Sequence, residues 1–235
     1  MKPLYYLLFL SLSLSALSQE PPSSARSTKA IDGQIPILRE ALAAKGMTLG
    51  DPVFMRIFKE SNELEVWMKP EDSDEFELFK IYEICYYSGD LGPKTKQGDR
   101  QSPEGFYFVN AGRFNPWSSF HLSLNMGYPN TYDRAKGYTG NYLMIHGSCV
   151  SIGCYAMKDE GIEEIYTLAH KAVEQGQTFF RVHSFPFRMT DAAMAKTADH
   201  KWNSFWKNLK AGYDWFEEKK LPPNVNVRNG EYVFN

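Results

Sequence analysis

Cysteine is scarce in this chain: Cys85, Cys149 and Cys154 are the three thiols in 235 residues, too few for a fold held together by disulfides. An odd count leaves at least one thiol unpaired within the chain, and the surroundings of each decide whether it is inert or reactive. Excess positive charge is also missing. The 26 Lys and Arg stand against 28 Asp and Glu, so no overall field exists to hold nucleic acid or anionic lipid. No apolar run reaches the ~20 residues that a membrane-spanning helix needs. Internal repeats are absent as well.

What is present is enough apolar and aromatic surface, 43% and 15% of residues, to bury one sizeable core. Met1-Lys2-Pro3 and the apolar run Leu4 to Leu14 have the charged and hydrophobic regions of a secretory signal peptide, with Ala16-Leu17-Ser18 before the expected cut. No cysteine follows that cut to be acylated, which predicts export to the periplasm with no stable membrane span once the leader is removed. Four segments are expected: residues 1–18 as signal peptide, 19–33 as a flexible, Pro- and Ser-rich linker, 34–189 as the main folded domain, and 190–235 as a helical extension packed on it.

Periodicity supplies the elements. Ile35 to Lys45 has helical spacing with Gly46 as a stop. Val53 to Phe58 and Leu64 to Met68 form a hairpin pattern, and Phe76 to Tyr86 continues as a strand. A loop rich in Gly, Pro and charge covers Ser88 to Gly105. Strands are expected at Phe106 to Asn110, Phe120 to Leu124, Tyr142 to His146 and Phe179 to Phe185. Asp159 to Gln175 and the tail from Asp191 to Lys219 are amphipathic helices. The predicted class is α+β: a mostly antiparallel, curved sheet flanked by helices.

The chemistry concentrates in Ile145-His146-Gly147-Ser148-Cys149-Val150-Ser151-Ile152-Gly153-Cys154. Thiol attack on an amide needs a thiolate, an imidazole to carry the proton and backbone N–H donors for the developing oxyanion. A strand ending at His146 supplies a rigid imidazole, and Gly153 permits a sharp turn before Cys154. From residue types alone, a turn holding a satisfied core histidine and a buried cysteine fits equally well.

The same segment resembles the active-site motif of the YkuD-type L,D-transpeptidases, in particular their YafK-like (ErfK/YafK) branch, where a His-Gly pair precedes a Ser-x-Gly-Cys element. Lys96-Gln97-Gly98-Asp99, Ser102-Pro103-Glu104-Gly105-Phe106-Tyr107, Phe120-His121-Leu122-Ser123-Leu124 and Tyr128-Pro129-Asn130 with Asp133 continue the likeness in family order over roughly residues 50 to 185. It implies an L,D-transpeptidase-like β-sandwich or barrel and makes 34–189 the catalytic domain. It also implies that Cys154 is the nucleophile, that His146 carries the proton, and that the Gly147 carbonyl orients His146. Ser151, Ile152 and Gly153 shape the oxyanion pocket. The wider family has a histidine where Ile152 stands and a basic or amide residue where Tyr155-Ala156-Met157 follow the cysteine.

His121, Arg113 and Tyr128 are candidate substrate-binding residues: His121 on an expected strand, Arg113 because guanidinium suits carboxylate, Tyr128 as a groove aromatic. For His121 and Arg113 a packed or solvated structural role fits equally, and for Tyr128 plain packing fits better. The implied substrates are peptidoglycan stem peptides containing meso-diaminopimelate, with a peptidoglycan-anchored lipoprotein as a further partner. No cofactor, metal or nucleic acid is called for. Three rival readings remain open at this stage: a zinc site from His146, Cys149, Cys154 and His121, although the spacing fits no common zinc module; a wall-binding module without activity; and disulfides pairing Cys149 with Cys154 or with Cys85.

Overall fold

The computed structural model describes residues 20–235; the expected signal peptide lies outside them. Among the described residues, five α-helices accompany two five-stranded sheets and a terminal hairpin. The expected α+β class holds, and the sheets do not close into a barrel. No helix among the described residues is long and apolar enough to cross a membrane.

The first sheet has the order β3 (Glu77–Glu83), β2 (Glu63–Met68), β1 (Val53–Phe58), β10 (Phe179–Phe185), β5 (Gly105–Asn110), with one parallel pairing, β1 to β10. Every residue of β1 is buried, because the sheet is covered on both faces. Met55 and Ile57 join the main core, while Phe54 and Phe58 face the aromatic clusters under the C-terminal helix. Arg56 shares that second face. Its guanidinium pairs with Glu65 at 2.8 Å and Glu217 at 2.5 Å, which is how a charge is tolerated there.

The second sheet runs β4 (Tyr86–Tyr87), β9 (Tyr155–Ala156), β8 (Met144–His146), β7 (Ser123–Asn125), β6 (Phe114–Asn115). The strand expected over Phe76 to Tyr86 therefore divides, β3 going to one sheet and β4 to the other. Between the sheets lies α3 (Lys158–Glu174), whose Ile162, Ile165, Tyr166, Ala169 and Val173 enter the core as its apolar stripe requires.

Two expectations need correction. The linker expected at 19–33 is largely helix: α1 runs Ala25–Ala43, started by a capping box in which Ser24 and Ser27 satisfy each other's backbone N–H groups. Ala30 and Ile31 are buried in the main core, so packing overrides the Pro- and Ser-rich composition just upstream. The expected C-terminal helix is two, α4 (Asp191–Lys196) and α5 (Asn203–Lys219), followed by the hairpin β11 (Val225–Arg228) and β12 (Glu231–Phe234). Trp206, Leu209, Tyr213 and Tyr232 share a core cluster with Phe58, Phe106 and Phe185, so these residues complete the first sheet's cover.

Candidate active site

Strands β8 and β9 are paired in parallel, with Ile145 opposite Tyr155 and His146 opposite Ala156. Cys154 precedes β9 and lies beside Met144, whose N–H reaches its sulfur at 3.4 Å. His146 and Cys154 are thus carried by adjacent strands, two register positions apart. Cys149, between them, is disulfide-bonded to Cys85, and Cys154 is the free thiol. The disulfide ties the connecting loop to the segment between β3 and β4.

His146 is buried, with its ring stacked on Phe120 at a centroid distance of 4.8 Å. Nδ1 lies 2.6 Å from the Gly147 carbonyl oxygen, and a carbonyl only accepts, so Nδ1 carries the proton. In the neutral ring Nε2 is then a free base, and it makes no hydrogen bond within the protein. Burial pushes the imidazole pKa down and the Gly147 contact raises it, with a net lowering.

Gly147 is required by space. A Cβ there would lie 2.6 Å from Asp159 Oδ1, 2.8 Å from the Phe120 carbonyl oxygen and 2.9 Å from His121 Cβ. Asp159 in turn accepts the Ser148 N–H at 2.7 Å. At Gly153 the reason is conformational, since φ is +150°, a region that side chains disfavour.

The Cys154 thiol approaches the Tyr142 carbonyl oxygen at 3.6 Å. Burial raises its pKa; the Met144 N–H and the charge of Lys94 oppose this without cancelling it. Both shifts favour the neutral thiol and the neutral imidazole, and no hydrogen bond joins the two side chains. Behind the sulfur the backbone is fixed. Ser151 Oγ accepts from the Gly153 and Cys154 N–H groups at 3.1 and 2.8 Å and donates to the Cys154 carbonyl at 2.8 Å, and Ser102 Oγ donates to the same carbonyl at 3.1 Å.

The same turn holds Ser151, Ile152 and Gly153, the residues of the expected oxyanion pocket. The Gly153 and Cys154 amides are engaged by the Ser151 hydroxyl, and Ile152 projects into solvent at 80% exposure. Ser151 acts through its side chain, as a clamp on the turn. The candidate substrate-binding residues also separate. His121 sits in a turn with φ +66°, not on a strand, and its Nε2 is 2.8 Å from Glu163 Oε1 on α3. Tyr128 is buried and donates to the Lys94 carbonyl at 3.2 Å. Arg113 stacks on Phe108 in a groove that shares no lining residue with the surroundings of Cys154. With Cys149 in a disulfide and His121 held by Glu163, the four ligands of the zinc reading are not assembled.

Sequence reasoning missed Phe120 as the imidazole's stacking partner, Asp159, and Lys94 with its charge near the thiol. Phe120 lay within a quoted motif and was read only as a strand residue. Lys94 carried no signal beyond a charge-rich loop.

Known proteins match this chain in sequence, and solved structures align with it. The L,D-transpeptidase catalytic domain, YkuD, matches residues 83–177. Two curated relatives described as "Putative L,D-transpeptidase YafK", from Escherichia coli strains K12 and O157:H7, are each 49% identical over 189 residues, covering 80% of this chain and 76% of the relative. Among solved structures, the helical cell shape determining protein Pgp2 (K307A mutant) of Campylobacter jejuni aligns over 82% of this chain and 68% of its own, with 18% identity and a TM-score of 0.47. Bd1075 of Bdellovibrio bacteriovorus aligns over 76% and 78%, with 16% identity and a TM-score of 0.43. Near-half identity across four fifths of the sequence places the chain in the L,D-transpeptidase catalytic-domain family of the YkuD type, alongside the YafK proteins.

Proposed function

We propose that this chain is a cysteine acyl-transfer enzyme of the bacterial envelope that acts on peptidoglycan stem peptides, with Cys154 as nucleophile and His146 as proton carrier. One observation carries the reading: a free thiol stands beside the strand that presents an imidazole in its Nε2-basic tautomer.

In the proposed reaction the thiol turns away from the Tyr142 carbonyl and gives its proton to His146 Nε2 as sulfur attacks the carbonyl of an L-centre residue, meso-diaminopimelate, at its bond to a D-centre amino acid. The C–N bond breaks, His146 protonates the leaving amine, and the acyl group remains on Cys154 as a thioester. Either an amine or water, deprotonated by the same imidazole, then attacks the thioester and frees the thiol. An amine gives a cross-link or an attached protein. Water gives endopeptidase or carboxypeptidase activity, including release of a peptidoglycan-linked lipoprotein. Tyr142, whose carbonyl meets the thiol, and Val150 and Ile152 in the loop before Cys154 have exposed side chains suited to the apolar parts of a peptide. Periplasmic location belongs to the same proposal and rests on the apolar leader.

The test is mass spectrometry of peptidoglycan and muropeptides incubated with wild-type protein and with Cys154→Ala. New L,D cross-links that require Cys154 identify a transpeptidase; shortened stems or released lipoprotein identify a hydrolase. No change in either sample overturns the assignment in favour of a wall-binding module, and equal turnover by both proteins removes Cys154 as nucleophile.

A further inference from the structure

Away from Cys154 the structure has a groove of about 600 Å³ between the β5 and β10 face of the first sheet and the C-terminal hairpin. Three guanidinium groups line it, those of Arg113, Arg134 and Arg181, and no Asp or Glu side chain does. In a chain with a formal net charge of −2, that is a local reversal of sign. Among the described residues, the arginines in ion pairs are Arg56 and Arg188; the three in the groove have no carboxylate partner.

Their heads are positioned without being used up. Arg113 lies over the Phe108 ring at 4.1 Å and Arg181 over the Phe179 ring at 5.2 Å. The two rings themselves meet edge to face at 5.6 Å. Arg113 donates to the Phe108 carbonyl, Arg134 to the Pro129 carbonyl, and Arg181 to Asn224 Oδ1 at 2.7 Å. Each guanidinium has five N–H donors, so most remain available, and stacking on aromatic rings limits the side-chain freedom lost when a ligand arrives. His183 also contributes to the wall. It is 1% exposed, and both its ring nitrogens are buried without a hydrogen-bond partner, a state that buried polar groups seldom keep.

We infer that this groove is an accessory binding site for an acidic peptide with several free carboxylates, separate from the site that holds Cys154. Guanidinium groups take carboxylates in paired hydrogen bonds, and the phenylalanine walls suit the aliphatic parts of a peptide chain, which a bare inorganic anion lacks. Naming that peptide a peptidoglycan stem rests on the function proposed above; the requirement for carboxylates does not.

The experiment is calorimetric titration of the full chain carrying Cys154→Ala, which blocks turnover. Three probes are compared: a muropeptide with free stem carboxylates, the same muropeptide with those carboxylates amidated, and inorganic phosphate. Arg134→Gln and Arg181→Gln are each added to that background, and thermal unfolding checks that both fold. The expected result is that each Gln variant weakens the free-carboxylate muropeptide about tenfold, that Arg181→Lys restores little of the loss, and that amidation mimics it. Binding unchanged by either Gln variant overturns the site. Phosphate competing as strongly as the muropeptide overturns the peptide as its ligand. The two proposals fail separately: an Arg-independent muropeptide complex with Cys154-dependent turnover removes only this one, and Arg-dependent binding without turnover removes only the enzyme reading.

Discussion

Lys59 and Glu104 form an ion pair at 3.0 Å with neither side chain exposed to solvent. Lys59 Nζ also donates to the carbonyls of Asp90, Gly92 and Ser102 at 2.7, 3.0 and 3.2 Å, while Glu104 accepts the Trp206 indole N–H at 2.8 Å. One charge pair thus gathers the long loop before β5 and anchors it to α5. Ser102, in that loop, holds the Cys154 carbonyl. Replacing Lys59 by Met strands a buried carboxylate, and breaking such a pair costs about 3–5 kcal/mol. Chemical denaturation of Lys59→Met is expected to show that loss, and the double variant with Glu104→Gln to recover part of it. Additive losses would show that the pair is not coupled.

Asp133 predicts a stability change with pH. Burial raises its carboxyl from the ordinary 3.8 to about 6, against the lowering contributed by the Asn130 N–H, the Tyr107 hydroxyl and Arg134; Oδ1 is buried without a partner. A raised carboxyl favours the folded state when protonated. That contribution is complete below the unfolded value near 4 and is lost as pH rises through about 6. A shift of this size corresponds to about 3 kcal/mol. Melting temperature is expected to fall between those two pH values in wild type and to lose that slope in Asp133→Asn. An unchanged slope in the variant would assign it to other groups.

Much of this architecture was legible in the sequence. Val53 to Phe58 and Phe179 to Phe185 are strands at the expected bounds, because β-branched and aromatic residues recur there between turn residues. That His146 and Cys154 belong together was an expectation drawn from the His-Gly and Ser-x-Gly-Cys motif, and β8 and β9 bring the two residues to adjacent strands. What stayed hidden depends on contacts distant in sequence. Ser24 and Ser27 look like linker residues until Ile31 and Leu38 have a core to enter. His121 reads as a strand residue, yet Glu163 on α3, 42 positions away, takes its ring. The groove arginines are spread over 113, 134 and 181 and meet only once β5, β10 and the hairpin assemble.

The Cys85–Cys149 bond closes a loop of 64 residues, so removing it frees the unfolded chain far more than the folded one. The expected loss for Cys85→Ser with Cys149→Ser is about 4 kcal/mol by loop entropy, read from denaturant midpoints. Under the proposed mechanism turnover per folded molecule should persist below the melting range, since neither disulfide sulfur shares a hydrogen bond with His146 or Cys154. Complete loss of turnover in a folded double variant would make the disulfide part of the reacting geometry.

The last prediction separates two ways of activating the thiol. An ion pair formed in advance between thiolate and imidazolium requires a lowered cysteine pKa and a raised histidine pKa. Burial moves both in the opposite sense here, with Cys154 above 9.0 and His146 below 6.5. In the proposed mechanism these shifts make neutral thiol with neutral imidazole the reactive form of the free enzyme. Protonation of His146 removes the base on the acid side, and ionisation of Cys154 on the alkaline side leaves no proton for the leaving amine. The kcat/KM profile is expected to be a broad plateau whose acid limb falls below pH 6.5 and whose alkaline limb lies above pH 9.0. Thiol alkylation by iodoacetamide, which reports thiolate alone, should rise only along the alkaline limb. A thiolate already reactive near neutral pH would instead show that the ion pair forms before substrate binds, with His146 drawn toward the sulfur and its hydrogen bond to Gly147 retained.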